Sequence, residues 1–274
     1  MPNIIINEQQ CTKCNICSTI CVMGIIEKST PSGFPTVLEE NRDNCLRCGH
    51  CESFCKQDAL LLDYLPEDKM PVSPQDGCID PRTLSLYMKK RRSIRHFSSK
   101  LVDKDLISQI IDVARYAASG GNQQPVKWIV ISGFSEVKKI AGLTIDWFRT
   151  IQNTSHPLAP YVSRLISMWD NGTDLICYNA PHLLFTHIPK TEREIDDPTD
   201  AIIAMTHVDL VAPSFGIGTC WAGFVQLAID AYKPLQEALM VPQGRIIKSA
   251  MMIGYSQFEV RSIPQRNHAE VIWR

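Results

Sequence analysis

Eight of the eleven cysteines in this 274-residue chain fall in two runs of one spacing. Cys11, Cys14, Cys17 and Cys21 read C-x2-C-x2-C-x3-C, and Cys45, Cys48, Cys51 and Cys55 repeat the pattern 34 residues later. Three thiolates at two-residue gaps wrap one corner of a cubane, and the fourth swings across to a second cubane. That logic assigns one cluster to Cys11, Cys14, Cys17 and Cys55, and another to Cys45, Cys48, Cys51 and Cys21. Soft thiolates also suit zinc, although zinc is content with four cysteines per site and rarely packs two runs of four at this interval. Disulfides are the other alternative, since the count is even.

The stretch resembles the bacterial two-[4Fe-4S] ferredoxins. It departs from them in one respect: Val22 and Lys56 stand where proline usually follows the fourth cysteine. Proline shapes that turn but is not a ligand, so the ligand set is unaffected. A ferredoxin-type domain over residues 1–65 is expected, each half built as strand, cysteine loop, short helix and strand. The strands fall at Asn3–Asn7, Gly24–Lys28, Thr36–Leu38 and Ala59–Asp63, with turn chemistry over Ser29–Pro35. Ile16, Ile20, Ile25, Phe54 and Leu60 are expected to shield the clusters, because exposure and hydrogen bonds to sulfur tune their potential.

At roughly 150 residues per domain the length allows about two domains. With 45% hydrophobic and 21% charged residues, the chain can bury a real core. A net charge of −1 argues for neither nucleic acid nor an anionic membrane as partner. The charge is uneven: residues 1–65 hold 5 Lys and Arg against 8 Asp and Glu, leaving 23 against 21 for the rest. The opening turns polar at once and lacks a basic export region, and no apolar run approaches the roughly 18 residues that span a bilayer. With so many cysteines, these features point to a reducing cytoplasm, where thiols serve metals. Pro66, Pro71, Pro74 and Pro81 with Asp76-Gly77 mark residues 66–82 as a semi-rigid linker, and Cys78 within it is a spare thiol.

A second domain is expected over 83–274. A helical stretch, Thr83–Lys90, runs into Lys89-Lys90-Arg91-Arg92-Ser93-Ile94-Arg95, five cations and a hydroxyl in seven positions. Arginine forks suit a phosphate dianion; a solvated basic face or a nucleic-acid patch reads equally well. An amphipathic helix over Asp103–Ala118 leads into Ser119-Gly120-Gly121-Asn122-Gln123-Gln124-Pro125, whose amides can read the edge of a heterocycle. Lys127–Ser132 reads as a strand.

Taken in this order, the motifs resemble the FMN-dependent nitroreductase family. Arg91-Arg92-Ser93-Ile94-Arg95-x-Phe97 matches its flavin-phosphate motif, and Ser119-Gly120-Gly121-Asn122-x-Gln124-Pro125 matches its flavin-contact loop. Ala180–Leu184, Gly216–Phe224, Ile253–Tyr255, Pro264–Arg266 and Glu270–Ile272 match later segments of the family. The resemblance implies an α+β fold, a nitroreductase-like FMN-binding domain with a sheet flanked by helices, preceded by the two-cluster ferredoxin domain. It implies that Arg91, Arg92, Ser93, Arg95 and Arg266 hold the phosphate and ribityl chain, that Asn122 and Gln124 contact the ring or ribityl, and that the Gly223 backbone faces the flavin N5/O4 edge. It also implies a homodimer, a small-molecule substrate (nitroaromatic, quinone or activated alkene) and an electron donor that is reduced ferredoxin or NAD(P)H. The varied stretch 142–175, with Trp147, Phe148, Tyr161, Met168 and Trp169, would help cover the substrate.

No side chain is expected to be catalytic, since the flavin supplies the chemistry. His156, His182, His187 and His207 lack metal-like spacing and read as structural or surface residues. Cys177 and Cys220 read as buried thiols, and Met251-Met252 as part of a core strand. There is no G-x-G-x-x-G, Trp221 standing at its third glycine position, and no P-loop. A nicotinamide therefore has no Rossmann site of its own, although the family can use one directly over the flavin. The expected function is transfer of electrons from two [4Fe-4S] clusters to FMN and on to a small oxidised organic substrate. The alternatives are a non-catalytic electron carrier or redox sensor, or a specialised flavin-dependent member with a different substrate.

Overall fold

The cysteine repeat folds as two interlocked halves. β1 (Ile4–Ile6) pairs antiparallel with β4 (Leu60–Leu62), placing Ile4 opposite Leu62, while β2 (Ile26–Glu27) pairs with β3 (Thr36–Val37). The first strand of one half thus closes against the last strand of the other. Single-turn helices α1 (Ile16–Ile20) and α2 (His50–Ser53) follow left-handed residues, Asn15 at φ 59° and Gly49 at φ 76°. The repeat reaches the backbone: Lys13 and Arg47 (φ 56° and 50°) and Gly24 and Asp58 (φ 62° and 49°) are also left-handed pairs at the 34-residue interval. The buried core cluster is small: Ile25, Ile26, Cys51, Leu60 and Leu62. Phe54, expected to shield a cluster, is instead 58% exposed and sets its ring edge-on to His50 at 6.2 Å. Phe54 lies just past the end of α2, at its C-cap.

The structure, a computed structural model, describes residues 4–63, 69–191 and 197–274. Asn3 of the expected first strand, and the expected boundary between 65 and 66, lie outside the described residues. The chain divides into a unit of Met1–Cys78 with Gly120–Gln123, and a unit of Ile79–Ser119 with Gln124–Arg274.

In the second unit α3 (Pro81–Lys90) starts at Asp80, whose carboxylate accepts from the Thr83 N–H at 2.8 Å, with proline in the first turn. Asp103 caps α4 (Lys104–Ala114) in the same way. α4 ends four residues short of the expected Ala118, because Tyr116 and Ala117 donate to Val113 and Ala114 three residues back and tighten the chain into a turn.

The rest is a four-stranded antiparallel sheet between two helical layers. β5 (Lys127–Ser132) is followed by α5 (Phe134–Ile151) and α6 (Ala159–Asp170), then β6 (His182–Pro189), α7 (Thr199–Val211), β7 (Gly218–Trp221), α8 (Gly223–Ala231), α9 (Lys233–Ala238) and β8 (Arg245–Gly254). The strand order is β5-β6-β8-β7. β6 is buried from His182 to Ile188, and its side chains alternate between the two cores. Leu183 and Phe185 join the core made with α5, α6 and α8, while Leu184 joins the core made with α4 and α7. Met252 and Met251 of β8 split the same way, both fully buried as expected. Trp147 and Phe148 are 4% and 0% exposed inside the first of these cores. The expected substrate cover is therefore partly core: two of its aromatics hold α5 to the sheet, while Tyr161 on α6 stays 69% exposed.

Candidate functional site

In the first unit each expected quartet of cysteines rings its own cavity. Cys11, Cys14, Cys17 and Cys55 line one, with Ile6, Ile16 and Leu60 among its walls. Cys21, Cys45, Cys48 and Cys51 line another, walled by Ile4, Ile25, Ile26 and Leu62. Burial pushes the Cys51 thiol up to about 12, the Glu52 N–H pulls against that, and the neighbouring Cys45, Cys48 and Cys21 add to it. Burial likewise raises Cys17, its neighbours being Cys11 and Cys14. Loading such a site expels protons into solvent. Cys55 Sγ accepts from the Ala59 N–H at 3.3 Å, a contact of the kind that tunes a cluster. All eleven cysteines stand as free thiols in this structure. Cys78 is exposed, and Cys177 and Cys220 are buried.

In the second unit the basic run lies along β7. The Ile94 N–H donates to the Thr219 carbonyl at 2.8 Å, and Ser93 bridges Thr219 in parallel register. This close approach requires glycine at 218, where a Cβ would stand 2.7 Å from Ile94 Cγ1. The strand pair gathers a cluster that the sequence reading did not anticipate. Asp209 of α7, 6% exposed, accepts from Thr219 Oγ1 at 2.5 Å and from Trp221 Nε1 at 3.4 Å, and lies 3.4 Å from Arg91 Nη1. That Nη1 is buried and has no hydrogen-bond partner. Burial raises the Cys220 thiol, while the Arg95 charge, the Ser93 hydroxyl and Arg91 pull it down. Arg91, Ser93 and Arg95 are thus brought together.

Three expected residues stand apart. Arg92 donates through Nη1 to the Lys89 and Arg91 carbonyls at 2.7 and 2.6 Å, so that nitrogen closes the end of α3 instead of facing a phosphate. Arg266 lies on the exposed C-terminal segment with Nη1 turned to the Gln265 carbonyl at 3.3 Å, and is not among the charges acting on Cys220. Asn122 spends its Nδ2 on the Leu46 and Arg47 carbonyls at 3.2 and 2.9 Å, within the first unit. Both amide hydrogens have partners there, so contact with a flavin would fall to Oδ1. Gln124 is exposed and left-handed at φ 47°, its N–H taken by Ser119 Oγ at 2.9 Å.

Gly223 opens α8, which has neither a side-chain cap nor an acidic residue in its first turn, and a Cβ at Gly223 would meet nothing within 4 Å. Next to this open helix start, Gln226 Oε1 is buried without a partner. A further support was missed in the sequence. Asp174, 6% exposed, accepts from the N–H groups of Ile176, Cys177 and Asn179 at 2.8, 2.8 and 3.0 Å. It holds Tyr178 and Asn179 left-handed (φ 53° and 51°), and the Arg95 guanidinium sits over the Tyr178 ring at 5.7 Å. The expected structural role of two histidines is visible: His182 Nε2 accepts from the Val102 N–H at 2.9 Å, and His187 Nδ1 accepts from Arg245 Nε at 2.5 Å.

Residues 88–255 match the model of the nitroreductase family. The chain belongs to that family. Residues 10–60 match the model of the 4Fe-4S dicluster domain. Relatives of the nitroreductase part include candidate NADH dehydrogenase/NAD(P)H nitroreductases of Archaeoglobus fulgidus and Methanothermobacter thermautotrophicus. The first is 25% identical over 66% of this chain and 93% of its own length, the second 24% over 66% and 81%. The nitroreductase fold also recurs in an FMN-bound nitroreductase of Bacteroides fragilis, with a TM-score of 0.57, 18% identity, and coverage of 70% of this chain and 98% of that one. An FMN-bound nitroreductase of Desulfitobacterium hafniense gives a TM-score of 0.55 at 18% identity, covering 70% and 100%. As a member of the family the chain is an oxidoreductase with a 4Fe-4S ferredoxin domain. Among the described residues no helix is long and apolar enough to cross a membrane.

Proposed function

We propose that this nitroreductase-family chain passes electrons, one at a time, from two [4Fe-4S] clusters to FMN and from there to a small oxidised organic substrate such as a nitroaromatic, quinone or activated alkene. The observation that carries the reading is the buried Arg91 Nη1 without a hydrogen-bond partner, beside Ser93 and Arg95, in a chain whose other unit rings two cavities with four thiols each. That nitrogen is ion-paired with Asp209 at 3.4 Å but makes no hydrogen bond, and a phosphate oxygen would satisfy it in the fork geometry arginine favours. In this reading Arg91, Ser93 and Arg95 hold the phosphate. Asp209 fixes Arg91, and Asp174 fixes the Tyr178 ring under Arg95. The open start of α8 at Gly223 offers backbone N–H groups to the ring edge. FMN, once bound, supplies the two-electron chemistry. Arg92 contributes charge near the phosphate through the nitrogens not spent on α3. Arg266 arrives with the C-terminal segment, and Gln124 lies at the ring side.

The exposed Phe258, Ile263, Ile272 and Trp273 of that C-terminal segment are consistent with burial against a second copy in a homodimer. A reducing cytoplasm suits the eight ligand thiols. Quartet ligation by Cys11, Cys14, Cys17 and Cys55, and by Cys21, Cys45, Cys48 and Cys51, is supported by their shared cavities. The donor is either reduced ferredoxin or NAD(P)H. Anaerobic stopped-flow on the full chain, following cluster bleaching and flavin reduction separately with each donor, tests the reading. With reduced ferredoxin, cluster bleaching is expected first and flavin reduction second, and Cys14→Ser is expected to abolish the second. Unimpaired flavin reduction by ferredoxin in Cys14→Ser would make the cysteine unit inert in catalysis.

A further inference from the structure

The cysteine repeat is regular in spacing and in backbone conformation, but not in what surrounds each quartet. Residues 34 positions apart are equivalent, so the two halves can be compared residue by residue. Lys56, directly after Cys55, lines the cavity of Cys11, Cys14, Cys17 and Cys55. Its counterpart directly after Cys21 is Val22, which lines the other cavity. Thr12 and Gln57 in the first wall are likewise answered by Leu46 and Met23 in the second; the reverse exchange is Ile16 for His50. The Ala59 N–H donates to Cys55 Sγ at 3.3 Å, and among the described residues no equivalent bond joins Ile25 to Cys21. Cys14 is exposed, whereas Cys51 is buried among Ile25, Ile26 and Leu62 of its own unit.

The charges on the loops follow the same division. Lys13 and Arg47 are equivalent, but the Lys13 ammonium lies over the Phe34 ring at 4.5 Å and donates to the Pro31 carbonyl at 3.3 Å. The Arg47 guanidinium is paired with Asp63 at 3.1 and 3.2 Å, so its charge is offset. Asp58, soon after Cys55, opposes the trend, but it is exposed, and Lys69 binds both it and Glu52 of α2 at 3.3 Å, offsetting one carboxylate from each half.

We propose that the quartet of Cys11, Cys14, Cys17 and Cys55 holds the cluster of higher reduction potential, that Lys56 sets much of the difference, and that electrons fill the two clusters in that order. This rests on the reading that both quartets hold [4Fe-4S] clusters, and not on any route to the flavin. Each cluster takes one electron from a carrier of the ferredoxin class, which is itself oxidised by one; no bond forms or breaks and no proton moves. The electron adds negative charge to a cluster already held by four thiolates. A lysine in the wall, an N–H on the sulfur and nearby water stabilise that charge, while an apolar wall resists it. The first quartet therefore keeps an electron under conditions in which the second has none, and only a stronger reductant loads both.

The test is an anaerobic redox titration of the full chain with clusters and FMN loaded. Low-temperature EPR follows it, because that method separates reduced clusters from a flavin radical. The wild type is expected to show two one-electron cluster waves. Lys56→Val puts the second half's residue into the first. It is expected to lower the upper wave by roughly tenfold in its equilibrium constant, about 59 mV for one electron, with the lower wave and the iron per chain unchanged. Val22→Lys is expected to raise the lower wave by a similar amount. Both shifts should shrink at high salt, since positions 56 and 22 are exposed. Movement of the lower wave in Lys56→Val overturns the assignment, and so do coincident waves in the wild type. Loss of iron in Lys56→Val makes that residue structural and overturns the inference as well. A wild type without any cluster signal on full reduction fails the cluster reading itself. Two cluster signals that neither variant moves sink the inference alone.

Discussion

The cysteine unit and the sheet unit hold themselves together by different means. The first buries four aliphatic side chains, Ile25, Ile26, Leu60 and Leu62, around its thiols; below about 70–80 residues a core of that kind rarely suffices without a staple. The second sandwiches its sheet between helices, with Phe148, Phe185, Leu183, Leu184 and Met251 among its fully buried side chains. Metal ligation should therefore dominate the stability of one unit and apolar packing that of the other. Removing iron with a chelator is the largest test. Amide protection across residues 4–63 is expected to vanish while β6 and β8 stay protected, since binding free energy is folding free energy in small metal domains. Cys51→Ser is expected to lose one cluster and Cys78→Ser none, read as iron per chain. Equal loss of protection in both units on chelation would break the comparison.

The reverse experiment sharpens it. Phe185→Ala removes a fully buried ring from the middle of β6 and is expected to cost about 3–5 kcal/mol. Thermal unfolding followed by the sheet signal should show that loss, with iron content unchanged.

A ligand-side effect comes next. Arg91→Ala is expected to weaken FMN binding by roughly ten- to a hundredfold, the worth of a charge-assisted hydrogen bond of about 1.5–3 kcal/mol. Removing Arg91 also leaves Asp209 buried with only Thr219 and Trp221 for partners. A titration unchanged from wild type would return the basic run to a surface role.

The same contrast governs what was legible beforehand. In the cysteine unit the spacing carries the candidate site, because each quartet that rings a cavity comes from two short runs at a fixed interval, and both quartets could be written down from the chain. In the sheet unit the strand Lys127–Ser132 was legible to the residue, since β-branched residues flank a loop with glycines. Arg91, Ser93 and Arg95 were legible as a motif. Asp209 and Asp174 were not, because their partners lie across the fold and nothing in a run such as His207-Val208-Asp209 distinguishes a buried carboxylate from a solvated one. Arg92 reads two ways for a related reason: an arginine just past a helix end can cap its carbonyls as well as bind an anion. The hydrogen bonds of Asn122 to the Leu46 and Arg47 carbonyls were hidden most deeply, since they join residues 76 and 75 positions apart in sequence.

The smallest predicted effect is acid sensitivity confined to the sheet unit. Burial pushes the pKa of His187 down to about 4 from an ordinary 6.5, with the Arg245 and Lys127 charges adding to it. Its neutral Nδ1 accepts from Arg245 Nε at 2.5 Å, and Arg245 Nη2 donates to the Pro125 carbonyl at 2.6 Å, so protonation of His187 loosens the end of the Ser119–Pro125 loop. A depressed folded pKa means that the unfolded chain binds the extra proton more readily between those values. The stabilisation is therefore complete above pH 6.5 and is lost as pH falls toward about 4. One pH unit below 6.5 the loss should be on the order of 1 kcal/mol. His182, whose pKa is also lowered by burial, acts in the same direction. His187→Gln keeps an acceptor that cannot titrate within this window, so its melting temperature should fall less steeply with acid than that of the wild type. Parallel slopes in the two proteins would assign the acid sensitivity to His182 or to another group.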